Sequence, residues 1–294
     1  MADISIDQTD NGLTISSAGS VIADYRIVST VDAVNTPKPY FHPLRTLSGT
    51  VVTGFAPDDH PWHHGLQFAF PRVGDHNLWG GGTYFGPDRG YEVVDDQGSI
   101  RHLSWGEVIA SGDSVRFSHE LEWVGHNGER LLTEDRDVTA TIDEETESWV
   151  LQFDSTLTNA TGAPIGLATP AQRGRPDGGY GGLFLRLAED VQADRLIGDS
   201  RDLAASGDAS RTLIIQAHTP DDEHITLGLS FVPGASPGVQ KWLYRFAPEP
   251  FSAVGWAGAY DDGFDLGADE SITFSHRLAV HDGTVDAEVV RAQL

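Results

Sequence analysis

Alternation at a period of two, repeated with turns between, constrains this chain more than any other feature. In Val115-Phe117-His119-Leu121-Trp123, Trp149-Leu151-Phe153 and Ile272-Phe274-His276-Leu278-Val280, every second residue carries an apolar or aromatic side chain. Successive side chains of a strand point to opposite faces, so such runs bury one face and wet the other. Leu13–Ser16, Leu213–Ala217 and Ile225–Val232 keep the same period, and Gly, Asp, Asn and Pro clusters at Asn159–Pro164 and Pro233–Gly238 punctuate them. Helical spacing is confined to Thr284–Leu294, where Val285, Val289 and Val290 share a face after the Asp282-Gly283 turn. Many short strands without recurring helices predict an all-β chain, a large antiparallel β-sandwich of two sheets. No internal repeat or Pro/Gly/Ser-rich linker divides it, so residues 1–294 read as one domain with a short C-terminal helix.

Composition limits what such a sandwich does. Lys and Arg total 19 against 44 Asp and Glu, a formal charge of −25 that repels nucleic-acid backbones and anionic lipid surfaces. No stretch approaches the roughly 20 apolar residues that cross a bilayer. With no cysteine, disulfides, thiolate nucleophiles and Cys-ligated metals drop out, leaving His and carboxylates as candidate metal ligands. The opening Met1–Asp7 lacks a basic and apolar leader, which predicts a cytoplasmic protein.

Three constellations carry chemistry. The first is Pro39-Tyr40-Phe41-His42-Pro43-Leu44-Arg45 together with Asp58-Asp59-His60-Pro61-Trp62-His63-His64-Gly65. Imidazoles suit general acid–base work and also ligate divalent metals, so both uses stay open. In extended chain His60 and His64 share a face with Trp62, while His63 points the other way. Spacing therefore nominates His60 and His64 as partners, with Trp62 placed to stack on the C–H face of a sugar. The second is Leu132–Val138, where strand geometry puts Glu134 and Arg136 on one face, either a base held ionised or a salt bridge. The third is Gln172–Arg186, whose arginines and glycine loop suit clamping a carboxylate, carbonyl or sugar hydroxyl. It lacks the spacing of a phosphate loop. The Gly80–Gly82 run also reads as a loop that lets backbone approach another group closely. His276 falls on the apolar parity of its strand and reads as a core histidine.

PYFHP at Pro39–Pro43, DHPWHHGLQFAF at Asp59–Phe70, YGGLFLR at Tyr180–Arg186 and RLAVHDG at Arg277–Gly283 resemble the bacterial PmoA-like family, in the expected order along most of the chain. A membrane-embedded methane oxygenase subunit does not fit a chain with no spanning segment. The resemblance instead implies a role in carbohydrate catabolism beside sugar oxidoreductases. The motif positions it covers are His42, Arg45, His60, Trp62, His63, His64, Tyr180 and Arg186. Length and strand content also look like the supersandwich of galactose mutarotase, a likeness of fold that carries no mechanism.

The expectation is a carbohydrate-active enzyme that moves protons on a sugar, an oxidised (keto) sugar or a glycoside, of lyase, hydrolase or epimerase type, with a small carbohydrate as partner. His60 and His64 would act with Glu134 as proton carriers, while His42, Arg45, Trp62, His63, Arg173, Tyr180 and Arg186 would bind substrate. No redox cofactor is required. One variant makes His60, His64 and Glu134 ligands of a divalent metal. The rivals are a non-catalytic carbohydrate-binding module with Trp62, Trp79 and Tyr180 as stacking platform, and a scaffold protein.

Overall fold

A computed structural model describes residues 4–232, 240–246 and 252–294. Two large antiparallel sheets dominate it. The first runs, in spatial order, Ile4–Thr9, Gly12–Ser17, Ser20–Arg26, Tyr40–Leu44, Leu66–Ala69, Gly182–Arg186, Ser252–Ala257 and Lys241–Phe246. The second runs Gln192–Ile197, Thr212–His218, His224–Phe231, Ser271–Asp282, Ser148–Asn159, Arg130–Asp143, Ser114–Val124 and Ser99–Ser111. The all-β, two-sheet expectation holds, and the strands fall on the alternating segments. The turn expected at Pro233–Gly238 lies outside the described residues.

The second sheet shows why these sequences form strands. Val115, Phe117, Leu121 and Trp123 are buried on one face, as are Trp149, Leu151 and Phe153, and Phe274, Leu278 and Val280 on strands in register with them. That face packs on the first sheet, and one apolar cluster draws on both. Each fully buried side chain of this size stabilises the fold by about 1.5–3 kcal/mol.

The central strands of the first sheet behave differently. Leu66–Ala69, Gly182–Arg186 and Ser252–Ala257 are buried at every position, because loops cover the face turned away from the core. Register lines up Gln67, Phe184, Gly255 and Leu243 across that outer face, with Arg186, Ala253 and Arg245 in the next row. This face is the floor on which the functional residues assemble.

The C-terminal helix is shorter than its spacing predicts, Ala287–Arg291, capped by the Asp286 carboxylate accepting from the Glu288 amide. Val290 is buried against Gly228, where a Cβ would stand 2.3 Å from it. Val285 packs against the same cluster as Val290, whereas Val289 is 40% exposed, so of the expected Val285–Val289–Val290 face only Val289 is corrected.

A candidate functional site on the outer face of the first sheet

Asp58–His63 is not extended. The His60 amide donates to the Pro57 carbonyl at 3.0 Å and the His63 amide to the His60 carbonyl at 2.9 Å, two consecutive turns favoured by Pro57 and Pro61. The turns reverse the predicted pairing. His60 stacks on His63, with ring centroids 4.8 Å apart and planes 15° from parallel, and Trp62 meets His60 edge-on at 5.2 Å. His64 leaves in the other direction. Its Nε2 donates to the Pro61 carbonyl at 3.1 Å and its ring packs between Tyr40 and Phe55. Burial drives its pKa far below that of ordinary imidazole, making it a neutral packing residue and not the partner of His60.

His60 donates from Nδ1 to Asp59 Oδ2 at 2.8 Å, and Arg186 Nη2 stands 4.0 Å from Asp59 Oδ1. A carboxylate on Nδ1 fixes the tautomer and leaves Nε2 as the nitrogen for proton exchange. His63 is almost wholly buried against Phe184, at 4.6 Å, and burial, then His60 and Arg186, hold its pKa well below the usual imidazole value. Burial thus keeps the ring neutral.

These residues border a cavity of about 340 Å³ lined also by Trp79, Gly80, Gly82, Tyr91, Arg175, Tyr180, Phe184, Leu243 and Arg245. The Gly80–Gly82 loop makes the close approach its composition predicts. Gly81 has φ +68°, and a Cβ there would lie 2.8 Å from the Trp62 indole, so the ring rests on bare backbone. The Asn77 carboxamide oxygen accepts from the amides of Trp79 and Gly80, each at 2.9 Å, shaping the loop. Lys38, which sequence reasoning missed, is buried beneath it and donates to the carbonyls of Trp79 and Thr36 at 2.9 Å. Burial pushes Lys38 down to about 7. Tyr180 packs on Trp79 at 5.0 Å, and its hydroxyl shares a 2.9 Å hydrogen bond with that of Tyr91.

Other expected residues lie apart. Glu134 and Arg136 do share a face, but that face is the core. Glu134 accepts from Arg136 Nε, Trp123 Nε1 and Ser155 Oγ at 2.7–2.8 Å, and Arg136 continues to Tyr25 at 2.7 Å. Both are about 1% exposed, so Glu134 is corrected from proton carrier to structural ion pair, because its strand parity sends it inward. The metal expectation on His60, His64 and Glu134 falls with it: the three point into different spaces, and no group of three or more potential ligands converges among the described residues. His42 bonds Thr53 Oγ1 through Nδ1 at 2.9 Å and stacks on Phe55. Arg45 donates to the Gly49 carbonyl at 3.1 Å. Arg173 donates to the Tyr84 carbonyl at 2.9 Å, behind the wall formed by Trp79 and Tyr180. Arg186 is buried beneath Asp59. None of these four lines the cavity.

Of the expected residues, His60, Trp62, His63 and Tyr180 do line it, along with the Trp79 of the rival stacking platform. Arg175 belongs to the arginine–glycine loop singled out in the sequence. Tyr91, Leu243 and Arg245 were missed: no motif marks them, although the parity of Lys241–Phe246 separates Leu243 and Arg245 from Trp242 and Tyr244.

Residues 12–294 match the family described as "Family of unknown function (DUF6807)". The chain belongs to this family. No curated protein matches the sequence. Among solved structures, a TPR-domain containing protein from Parabacteroides distasonis is similar at 12% identity and TM-score 0.43, covering 97% of this chain and 48% of that one. The chain thus spans about half the length of that protein. A putative aldose 1-epimerase from Klebsiella pneumoniae is similar at 10% identity and TM-score 0.43, covering 99% of this chain and 82% of that one. A galactose mutarotase related enzyme from Lactobacillus acidophilus is similar at 12% identity and TM-score 0.33, covering 96% and 98%.

Proposed function

We propose that this member of the DUF6807 family is a carbohydrate-active enzyme that moves a proton on a sugar or oxidised sugar bound in the aromatic cavity. The observation that carries the reading is the Asp59–His60 pair opening onto a cavity walled by Trp62, Trp79, Tyr180 and Phe184. Aromatic faces suit the C–H surface of a sugar ring, and an imidazole oriented by a carboxylate suits general acid–base catalysis. His63, stacked on His60 and held neutral by burial, keeps the His60 ring in place at the border of the cavity. The PmoA-like resemblance supports the reading, since the Asp59–Phe70 and Tyr180–Arg186 motifs together supply His60, Trp62, His63, Tyr180 and Phe184 to one cavity.

The Asp59-oriented imidazole beside the cavity suits proton transfer at carbon. The test is incubation of the enzyme with a panel of aldoses, 3-keto sugars and uronic acids in D₂O, followed by NMR and mass spectrometry. Expected is solvent deuterium in one sugar, or an unsaturated or epimeric product, at a rate reduced about 100-fold or more in His60→Gln while the dissociation constant changes less than about threefold. Binding without turnover anywhere in the panel would leave a carbohydrate-binding module instead.

A further inference from the structure

Among the described residues, the lining of the cavity is charged in one sense only. Arg175 and Arg245 border it, and neither forms an ion pair with a described carboxylate. The Arg175 guanidinium lies 4.6 Å over the Tyr91 ring. Arg245 projects from the outer face of the first sheet, one row beyond Leu243, and donates to the backbone carbonyl of Asp177 at 3.3 Å. Tyr91, beneath Arg175, shares its hydroxyl hydrogen bond with Tyr180, and Arg245 reaches the backbone two residues beyond Arg175, so the two cations border the same end of the cavity. Of the acidic groups nearby, Asp59 pairs with His60 and Arg186, Asp261 with Lys241 at 2.6 Å and Glu92 with Arg89, while Asp177 is exposed and accepts from Arg245 through its backbone carbonyl. In a chain of net charge −25, two guanidiniums left with donors to spare beside an aromatic wall are a local reversal of sign.

We infer that the ligand of this cavity is a sugar bearing a carboxylate, a uronic or aldonic acid, with Arg175 and Arg245 holding the carboxylate at the Tyr91–Tyr180 end while the ring packs against Trp62 and Phe184. The inference rests on the sugar reading above and narrows it. The planar guanidinium fork matches a carboxylate with two parallel hydrogen bonds.

The experiment compares dissociation constants, by ligand-observed NMR or calorimetry, for glucuronate against glucose, galacturonate against galactose, and glucose 6-phosphate. One uronate is expected to bind at least about tenfold tighter than its neutral counterpart and tighter than the phosphate. In the Arg175→Met, Arg245→Met double variant that ratio falls to within about threefold, and Arg245→Lys, which keeps the charge without the fork, gives an intermediate ratio. Circular dichroism confirms that each variant is folded. Equal affinity for acid and neutral sugar overturns the inference and leaves the sugar reading standing, as does tighter binding of the phosphate. A preference that survives in the double variant overturns the role of the two arginines, and failure of every sugar to bind removes the sugar reading and this inference together.

Discussion

Glu134 accepts hydrogen bonds from Trp123, Arg136 and Ser155 in a space closed to solvent. Beyond Arg136 the network continues through Tyr25 to His119 and then His102. Removing the charge of one partner leaves a buried guanidinium uncompensated and sets an amide N–H against donors, so Glu134→Gln should cost about 3–5 kcal/mol. Urea denaturation measures it, and a loss under about 1 kcal/mol would contradict the structural role. His60 shows the opposite case. Its ring is anchored on an exposed carboxylate at the border of the cavity, and geometry alone distinguishes it from His64 four residues on.

At the scale of elements, the site depends on loops laid over a sheet face that strand pairing had already levelled. The Gly80–Gly82 loop is held by Asn77 and Lys38 and carries the Trp62 indole on its backbone. Gly81→Ala adds a methyl 2.8 Å from that ring at a positive φ. The left-handed strain is about 1–2 kcal/mol, and the displaced indole withdraws one wall of the cavity. Expected is a modest fall in the melting temperature with roughly tenfold weaker binding of whichever sugar the wild type takes. A calorimetric titration showing unchanged affinity would separate Trp62 from ligand recognition.

For the whole molecule, the decisive quantity is the number of imidazoles buried neutral. Burial lowers the pKa of His63, His64, His119 and His276, the last to about 3. Below pH 6.5 the unfolded chain takes up protons that the folded chain refuses, so stability falls as pH drops, by up to about 1.4 kcal/mol per pH unit for each such histidine. Carboxylates titrate mostly below pH 5, so the window from 6.5 to 5 isolates the histidines. Urea midpoints at pH 7 and pH 5.5 should differ markedly. His276, wedged against Trp256 at 4.3 Å with no hydrogen-bond partner among the described residues, is the clearest contributor, and His276→Phe should flatten the pH slope. An unchanged slope in that variant would assign the acid sensitivity to the other buried histidines.

The period-two alternation determined the all-β, two-sheet architecture without help, because which face of a strand is buried is a local property written in every second residue. For the same reason Val115–Trp123 and Ile272–Val280 were legible as core strands, and the inward parity of His276 with them. The histidine segment and the glycine loops were legible as unusual, since so many imidazoles, prolines and glycines in short stretches demand turns and close approach. Tertiary structure decided which of these residues meet. Two turns exchanged His64 for His63 as the neighbour of His60. Strand parity sent Glu134 into the core, where only the opposing sheet reveals that its face is closed. Arg245, some 185 positions from His60 along the chain, reaches the cavity through the register of Lys241–Phe246 with Ser252–Ala257. Pairing between distant strands is a long-range property that no local pattern encodes, and the site is assembled on such pairings.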